Sequence, residues 1–398
     1  MYKYYKEVRI MKKKALFIGI HYWGSPFKVG THHLAECLSN KEEWEVLYLS
    51  LPLSPLHKLS KKKETQFNER YKIYKSDGIT INPSFKAYVP FSLLVPNDKP
   101  ICNTEFMFNK WHAFSYPNLM KKLRETGYDD VDLIYMDNPT YHFLLDKIKY
   151  KKSVFRVADN HKGFQGYTAL YGGYEDKLIN KVDLVLYTAK QLEEILLQQV
   201  PTSKKMYFPN GVRYDFFTQK GLEKPMDIKG IDAPICMYVG ALAEWIDYNL
   251  INYCAKKLKH IAFVFIGPSD LAKEKLMKLD NIYLLGTKPY EDIPQYLHHA
   301  GVGIIPFNTK DYKELIDSVN PLKLYEYMSC GIPVVSTSWK EIRECDSPAY
   351  LSNEFNEFAA NIEKSIESNG SNKTEFENYA KTHDWNFKLD KLINYLEL

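Results

Sequence analysis

The chain has 398 residues, 45% of them hydrophobic, and a formal net charge of +4. This length suits two domains of ordinary size, and this composition excludes a largely disordered chain. The six cysteines are scattered without paired spacing, which argues against a zinc site or a disulfide framework and fits a reducing cytosol. No apolar run approaches the roughly 20 residues of a membrane-spanning helix, and the N-terminus lacks the apolar core of a secretory signal.

The charge is distributed unevenly between the two halves of the chain. Residues 1–215 contain 33 Lys and Arg against 23 Asp and Glu, a net +10, whereas the remainder has a net −6. A basic first half predicts an anionic partner. No nucleic-acid motif accompanies it, so we expect a phosphate-bearing acceptor or an anionic membrane surface. The protein is therefore predicted to be cytoplasmic and peripheral on the inner face of the membrane.

Short, continuous apolar runs alternate with helical patterns, as is typical of parallel strands buried on both faces. In the first half the predicted strands are Ala15–Ile20, Glu45–Leu51, Leu133–Met136, Ser153–Ala158, Asp183–Thr188 and Lys205–Phe208. In the second half they are Ile235–Val239, Ala262–Ile266, Ile282–Leu285, Val302–Pro306, Pro333–Thr337 and Ala349–Leu351. Helical segments between them complete two sets of βαβ units. The sequence thus predicts an α/β protein with two Rossmann-like domains.

The turn-forming tetrapeptide Pro209-Asn210-Gly211-Val212 separates the two sets of strands. We therefore expect an N-terminal domain over residues 1–211 and a C-terminal domain over 212–375. The last residues, 376–398, are predicted to form helices that pack back on the N-terminal domain.

One segment, residues 52–118, fits this scheme worst. It contains Lys61-Lys62-Lys63 and, over residues 84–96, an aromatic run with two prolines. Basic residues beside exposed aromatic rings are typical of a membrane interface. The segment is either an insertion folded over the N-terminal sheet or an insertion that contacts membrane and acceptor, and the sequence leaves both interpretations open.

A helix with signals at both ends is predicted from Asn320 onwards. Asn320 is a favoured N-cap, Pro321 suits the first helical position, and Gly331 suits the residue after the end. The N-terminal end of a helix attracts phosphate, and Lys323 adds a positive charge there. Glu326 shares that face and can accept hydrogen bonds from sugar hydroxyls. The segment predicts a site for a diphosphate and a ribose, although a routine amphipathic helix with a solvated Lys–Glu pair has the same spacing.

Several motifs together resemble the GT-B glycosyltransferases. They are the turn that ends at Val212, the tripeptide Tyr238-Val239-Gly240 and the Asn-Pro-x-Lys-Leu-Tyr-Glu-Tyr-Met helix. The opening loop over residues 21–35 is similar to that of the xanthan-type glucuronosyltransferases, which build bacterial exopolysaccharide on a lipid carrier. The resemblance covers most of the chain and is weakest over 52–118. It implies two domains facing each other across a cleft, with the nucleotide sugar on the C-terminal domain and the acceptor on the N-terminal one.

The resemblance also implies roles for individual residues of the donor site. Lys323 would neutralise the diphosphate, Glu326 would meet the ribose, and Asn320 would begin the helix that holds them. Gly240, at a strand end, would let the backbone approach the phosphates. Gly30, in the first loop, would do the same from the opposite wall.

Two further positions belong to the predicted donor site. Tyr290 could stack near the base, although packing in the core explains it equally. Ser318 stands eight residues before Glu326, where retaining members of the broad family have the first glutamate of an E-x7-E pair. The missing glutamate favours an inverting mechanism.

Inversion by direct displacement needs a general base within hydrogen-bond reach of the acceptor hydroxyl. Asp159 is the candidate, because it follows the strand Ser153–Ala158 at the edge where open α/β sheets bind ligands. The resemblance places the family's base at the same position. A helix cap is the structural alternative for this residue.

Other polar residues are candidates for the acceptor side. Asp137, after the strand Leu133–Met136, is a competing base, and His161 is another. His32, in the turn after the Gly30 loop, is a candidate for contact with acceptor or phosphate. Asp130-Val131-Asp132 has the form of a metal-binding D-x-D, but it precedes a strand instead of following one. No metal is therefore expected.

The sequence thus predicts a metal-independent, inverting glycosyltransferase that uses no cofactor besides its co-substrate. It would move a sugar from a UDP-sugar, with UDP-glucuronate favoured by the resemblance, to a lipid-carrier-linked glycan in surface polysaccharide synthesis. Three alternatives stay open: a retaining GT-B glycosyltransferase, a nucleotide-sugar epimerase, and a non-catalytic subunit that binds glycan or nucleotide.

Overall fold

The computed structural model describes residues 12–58, 66–160, 168–368 and 370–398. The strands are β1 (Lys13–Gly19), β2 (Trp44–Ser50), β3 (Ile79–Asn82), β4 (Phe85–Tyr88), β5 (Asp130–Met136), β6 (Lys149–Val157), β7 (Leu184–Tyr187), β8 (Lys205–Tyr207), β9 (Ile235–Val239), β10 (Ala262–Ile266), β11 (Ile282–Leu284), β12 (Val302–Ile305), β13 (Val334–Ser336) and β14 (Tyr350–Leu351).

The α-helices are α1 (Gly30–Ser39), α2 (Pro55–Lys58), α3 (Phe67–Lys75), α4 (Glu105–Lys110), α5 (Leu119–Glu125), α6 (Leu144–Lys147), α7 (Ala169–Lys181), α8 (Lys190–Leu196), α9 (Tyr214–Phe217), α10 (Tyr248–Lys257), α11 (Asp270–Lys275), α12 (Ile293–Leu297), α13 (Lys313–Ile316), α14 (Leu322–Ser329), α15 (Lys340–Glu344), α16 (Phe355–Glu367), α17 (Lys373–Lys381) and α18 (Trp385–Leu396). No helix in the described ranges is both long and apolar enough to cross a bilayer.

The strands form two sheets. The first has the order β3-β4-β2-β1-β5-β6-β7-β8 and is parallel except for the antiparallel pair of β3 and β4. The second, β11-β10-β9-β12-β13-β14, is parallel throughout. In each sheet the strand order reverses beside the first strand, β1 or β9. Open parallel sheets bind ligands outside their carboxyl ends at such a reversal, so the loops after β1 and β9 are the expected walls of a site.

Each of the twelve predicted strands overlaps an observed strand, and the α/β prediction with two Rossmann-like sheets is confirmed. Their continuous apolar runs follow from burial on both faces, since nearly every residue of β1, β7 and β10 is inaccessible to solvent.

Segment 52–118, for which the sequence left two interpretations open, contains two strands of the N-terminal sheet. Its aromatic run begins with β4, which pairs with β2 and extends the N-terminal sheet. Phe85, Ala87, Tyr88 and Val89 are buried, so this part of the run belongs to the protein interior and is not a membrane surface. The segment therefore extends the N-terminal sheet at its β3–β4 edge. The predicted basic cluster Lys61-Lys62-Lys63 lies outside the described residues.

The chain crosses between the two halves twice, and the two crossings pair with each other. The Val212 N–H donates to the His383 carbonyl at 3.0 Å, and the Trp385 N–H donates to the Val212 carbonyl at 3.0 Å. The helix α18 then packs against α1, so that Trp385 and Leu389 lie in the same hydrophobic core as Leu34. The core under the N-terminal sheet thus contains residues from both ends of the described chain.

Candidate active site

A cavity of about 380 Å³ lies between the two sheets, at the carboxyl ends of β6, β9 and β10. The first domain contributes Pro26, Phe27, Lys28, Val29 and Asp159 to its lining. The second contributes Tyr238, Val239, Gly240, Ala241, Trp245, Ile266, Gly267, Pro268, Thr287, Lys288, Tyr290, Ile293, Leu322, Lys323 and Glu326. Of the predicted site residues, the cavity brings together Asp159, Gly240, Tyr290, Lys323 and Glu326.

Lys323 lies in the first turn of α14, the helix predicted to hold the donor. Its Nζ is 5.4 Å from the ring centroid of Tyr238 and 5.6 Å from that of Phe307, close enough for attraction to the ring faces. Burial lowers the pKa of Lys323, and the charge of Glu326 raises it. No ion pair involves this ammonium in the ranges that the structure covers. The Lys323 side chain thus lies at the helix end, where anions bind.

Glu326 lies one turn further along α14 and is also buried. Burial raises the pKa of Glu326 to about 7, and the Lys323 charge and a hydrogen bond from Tyr290 oppose that rise. The Tyr290 hydroxyl donates to Glu326 Oε1 at 3.3 Å. This carboxyl can therefore accept a hydrogen bond when ionised and donate one when protonated.

Tyr290 combines the two interpretations that the sequence left open. It lines the cavity, yet it is largely buried and its ring stacks on that of Phe216, with 5.6 Å between centroids. Its hydroxyl meets Glu326, so it positions that carboxyl from beneath.

Two glycines allow the backbone to pack closely beside Lys323: Gly240 lies next to the Lys323 side chain, and Gly267 lies next to Gly240. Gly240 has φ +144°, and a Cβ built there would lie 2.7 Å from Lys323 Cε. Gly267 has φ +143°, and a Cβ there would lie 1.9 Å from the Gly240 carbonyl oxygen. Both positions therefore exclude a side chain, for conformational and steric reasons. The sequence analysis proposed Gly240 and missed Gly267.

Asp159 stands on the opposite wall, two residues beyond the end of β6. It is half-buried and has no hydrogen bond or ion pair with another residue that the structure describes. The next described helix, α7, is capped by Thr168, whose side chain accepts from the Tyr171 N–H. Asp159 is therefore not the cap of α7, and it lines the same cavity as Lys323.

Lys28 is a charged wall residue that the sequence analysis missed. Its Nζ donates to the Trp23 carbonyl at 2.6 Å and lies 4.5 Å from the centroid of the Trp23 ring. Burial lowers the pKa of Lys28, and Glu291 and Glu36 raise it. The cavity thus also has a lysine on the wall opposite Lys323. Only the strand order identifies its loop, the one after β1, as a ligand-binding loop.

Three predicted donor residues lie outside this cavity. Gly30 opens α1, where a Cβ would lie 2.8 Å from Arg156 Nη2 and 3.0 Å from Trp385, so helix packing explains the missing side chain. Ser318 is buried and donates to the Leu315 carbonyl.

Asn320 is not the N-cap of α14, contrary to prediction. Pro321 occupies that position in an extended conformation, and no side chain caps the helix. The Asn320 side chain is buried and bonded to Asn210, Tyr325 and Glu341 instead. Gly331 follows the helix end with φ +70°, as predicted.

The predicted acceptor residues are also placed by the structure, with one exception. His32 is buried and stacked on Tyr48, and burial lowers its pKa well below the usual value. Its Nδ1 accepts from the Val29 N–H, so it shapes the loop before α1. Asp137 is buried and accepts from the Thr31 hydroxyl. His161 lies outside the described residues.

The predicted D-x-D is part of β5. Asp132 accepts from the Lys14 N–H and pairs with Lys151 at 2.6 Å. Among the described residues, no group of three or more His, Cys, Asp or Glu side chains is arranged to hold a metal ion.

Sequence comparison matches both halves of the chain to glycosyltransferase families. Residues 17–188 match the family described as "Glucuronosyltransferase GumK, N-terminal domain", and residues 233–368 match "Glycosyl transferases group 1". The putative teichuronic acid biosynthesis glycosyltransferase TuaH of Bacillus subtilis is 24% identical over 234 residues. That alignment spans 56% of this chain and 58% of TuaH, so it covers little more than half of the relative.

Solved structures share the fold along nearly the whole chain. Anabaena HepE in complex with UDP and glucose superposes with a TM-score of 0.65 at 15% identity, covering 97% of this chain and 99% of HepE. S. aureus TarM in complex with UDP superposes with a TM-score of 0.61 at 11% identity, covering 97% and 100%. Together, the two family matches, the sequence relative and the shared fold support a GT-B glycosyltransferase that is similar to the GumK type.

Proposed function

We propose that this protein transfers a sugar from a UDP-sugar to a lipid-carrier-linked glycan during synthesis of a bacterial surface polysaccharide. One observation supports this function above the others. A single cavity between the domains contains the carboxylate of Asp159 on one wall and the Lys323–Glu326 pair on the other. An acid–base group and an anion-binding helix end face the same space, as displacement of a nucleoside diphosphate requires.

The donor binds mainly to the C-terminal domain in this proposal. The diphosphate lies at the beginning of α14, beside Lys323 and the backbone of Gly240, where no Cβ obstructs it. Glu326 meets the ribose hydroxyls and is oriented by Tyr290. UDP is the nucleotide we favour, because the HepE and TarM structures that share the fold were solved with UDP.

The acceptor hydroxyl approaches from the N-terminal domain. Asp159 takes the hydroxyl proton as the acceptor oxygen attacks the anomeric carbon of the donor sugar. The bond from that carbon to the diphosphate breaks and UDP leaves. The transferred sugar then has the inverted anomeric configuration. Lys323 and Lys28 lie on opposite walls and stabilise the negative charge on the leaving diphosphate without a metal ion. UDP-glucuronate is our first choice of donor, since the N-terminal half matches the GumK domain.

A transfer assay tests this proposal. Purified protein is incubated with UDP-glucuronate, UDP-glucose, UDP-galactose or UDP-N-acetylglucosamine and with lipid-linked acceptors extracted from bacterial membranes. We expect one donor to label the acceptor with inverted anomeric configuration, as read by NMR of the product. Conversion of a UDP-sugar to its epimer without acceptor would establish the epimerase instead, and a product with unchanged configuration would establish retention.

Two matched variants make the assay specific to the proposed site. Asp159→Asn removes the base, and Asp280→Asn changes an exposed aspartate far along the chain. Transfer should be lost only in the first. Equal activity of Asp159→Asn and wild type would contradict the assigned base, and no transfer or UDP binding by the wild type would contradict the function itself.

Peripheral contact with a membrane is a further part of the proposal. Leu93 and Phe106 are each 61% exposed and Tyr116 is 76% exposed, although all three are large apolar or aromatic side chains. They are close together, because the Leu93 N–H donates to the Phe114 carbonyl and the Phe106 and Phe114 rings are 6.2 Å apart. Exposed apolar side chains on a basic domain suit an anionic bilayer surface.

A further inference from the structure

Three polar side chains, two of them buried, form a continuous hydrogen-bonded link between the two domains. Arg156 Nη2 donates to Asn210 Oδ1 at 2.5 Å. Asn210 Nδ2 donates to the Asn320 carbonyl at 2.6 Å, and the Asn210 N–H donates to Asn320 Oδ1 at 3.0 Å. Arg156 is 2% exposed and Asn320 is 3% exposed, whereas Asn210 between them is partly buried. Breaking the bonds is costly at the two buried ends, because a buried polar group is then left without this partner.

The link is anchored further on the side of the C-terminal domain. Asn320 Nδ2 donates to Glu341 Oε1 at 3.0 Å, and the Tyr325 hydroxyl donates to Asn320 Oδ1 at 3.0 Å. Glu341 also accepts from two groups of the N-terminal domain, the Tyr207 hydroxyl at 2.9 Å and the Lys190 N–H at 2.8 Å. The domains are therefore joined by two routes that meet at Asn320.

The two ends of this link lie beside the two reacting walls. Arg156 is on β6, three residues before Asp159, and Asn320 is three residues before Lys323. The end of β6 thus connects Arg156 to the proposed base, Asp159. The start of α14 connects Asn320 to Lys323, which is proposed to bind the donor. Neither Asn210 nor Asn320 lines the cavity. The link can therefore set the distance between the walls without touching a ligand.

We propose that Asn210 is a positioning residue that holds Asp159 in register with the donor bound at α14; this inference rests on the proposed function. Asparagine suits the position because it uses both ends of its amide, accepting from Arg156 through Oδ1 and donating to the Asn320 carbonyl through Nδ2. Aspartate can only accept, and alanine can do neither. Asn320, predicted from the sequence as a donor-site residue, acts in this link instead.

The test separates positioning from binding and from general stability. Asn210→Ala and Asn210→Asp are compared with Asn281→Ala, which removes an amide that donates to three carbonyls inside the C-terminal domain. For each protein we measure the Kd for UDP by calorimetry, kcat for transfer, and the melting temperature. Asn210→Asp keeps the acceptor for Arg156, so a folded variant remains if Asn210→Ala does not fold.

We expect both Asn210 variants to keep a Kd for UDP close to that of the wild type, because the nucleotide is proposed to bind mainly to the C-terminal domain. Their kcat should fall by as much as about 100-fold, the effect of a misplacement of roughly 1 Å between reacting groups. Asn281→Ala should lower the melting temperature and leave kcat unchanged below it. An unchanged kcat in both Asn210 variants, or an equal loss of kcat in Asn281→Ala, would overturn the proposal.

A measurement without substrate distinguishes failure of this inference from failure of the proposed function. Spin labels on the exposed positions 176 and 256, introduced as Asp176→Cys and Lys256→Cys, report the distance between the domains. Asn210→Ala or Asn210→Asp should broaden or shift the distance distribution, and Asn281→Ala should not. An unchanged distribution in the Asn210 variants would overturn the link, even if the wild type transferred no sugar to any acceptor.

Discussion

The two walls of the cleft differ in how their charged groups are held. On the C-terminal wall, Lys323 and Glu326 lie on one helix, buried against aromatic rings and oriented by Tyr290. On the N-terminal wall, Asp159 and Lys28 lie in loops after strands, and Asp159 has no hydrogen-bond partner among the described residues. The C-terminal wall, here the proposed donor wall, is thus preorganised within one domain. The geometry of the N-terminal wall, the proposed acceptor wall, depends on how the domains meet. Substitutions on the two walls should therefore affect different measurements.

The largest expected effect is on the acceptor wall. Asp159→Asn removes a general base, which contributes on the order of 100- to 10,000-fold to a rate, so kcat should fall by that factor. Because Asp159 is remote from α14 in the chain and on the other wall, the Kd for UDP should stay unchanged in calorimetry. A loss of UDP affinity comparable to the loss of rate would show that the walls are not separate.

The second expected effect is on the donor wall, where the raised pKa of Glu326 should make the free energy of unfolding depend on pH. The pKa of Glu326 is about 7 in the folded protein, against an ordinary value of 4.5 that applies to the unfolded chain. Between pH 4.5 and about 7, the native state therefore binds more protons than the unfolded state. Stability must then fall as pH rises through this window, by about 3 kcal/mol for this residue. Above about pH 7 the contribution is constant.

Urea unfolding at a series of pH values checks this dependence. The difference in free energy of unfolding between wild type and Glu326→Gln should change across the window, because glutamine does not titrate. Parallel curves for wild type and Glu326→Gln would contradict the raised pKa.

A third effect is loss of donor affinity. Lys323→Ala removes a charge-assisted contact worth about 1.5–3 kcal/mol, which weakens UDP binding roughly 10- to 100-fold. Calorimetric titration with UDP measures the change, and Lys256→Ala, an exposed lysine of the same domain, is the control. Unaltered UDP affinity in Lys323→Ala would place the diphosphate elsewhere.

The smallest effect concerns the outer surface of the acceptor domain. Leu93→Glu and Phe106→Glu should weaken binding to vesicles of anionic phospholipid by about 1 kcal/mol or more each, because an apolar contact becomes a repelled charge. Co-sedimentation with phosphatidylglycerol vesicles measures this, while UDP affinity serves as the internal control. Equal sedimentation of both variants and wild type would exclude this patch as the contact.

The donor wall was predictable because its signals are local. Lys323, Glu326 and Gly331 lie within one helix and its end, so end signals and spacing are sufficient to place them. The C-terminal strands were equally visible, since each is a continuous apolar run. The exception is Asn320. Its residue type favoured an N-cap, but its side chain bonds to Asn210 and Glu341, which are distant in the chain.

The acceptor wall was less predictable because its geometry comes from distant contacts. Lys28 becomes a site residue only when the strand order places the loop after β1 at the cleft. In β4 the residue Lys86 interrupts the apolar pattern, so Phe85 and Tyr88 resembled exposed aromatics although they are buried beside β2. Burial of an aromatic residue cannot be recognised from the residue type alone.

The pairing of α18 with the N-terminal core has a consequence for how the protein is made. Trp385, Leu389, Leu392 and Leu396 complete a core whose other residues begin at Ala15, so the ribosome supplies its two parts far apart in time. Domains generally fold in order from the N-terminus during synthesis. Here the first sheet emerges early but keeps an uncovered apolar face until the second domain has been translated. The domain whose synthesis begins first therefore completes its core last. We expect a chain stalled on the ribosome before Trp385 to need chaperones that cover this apolar face.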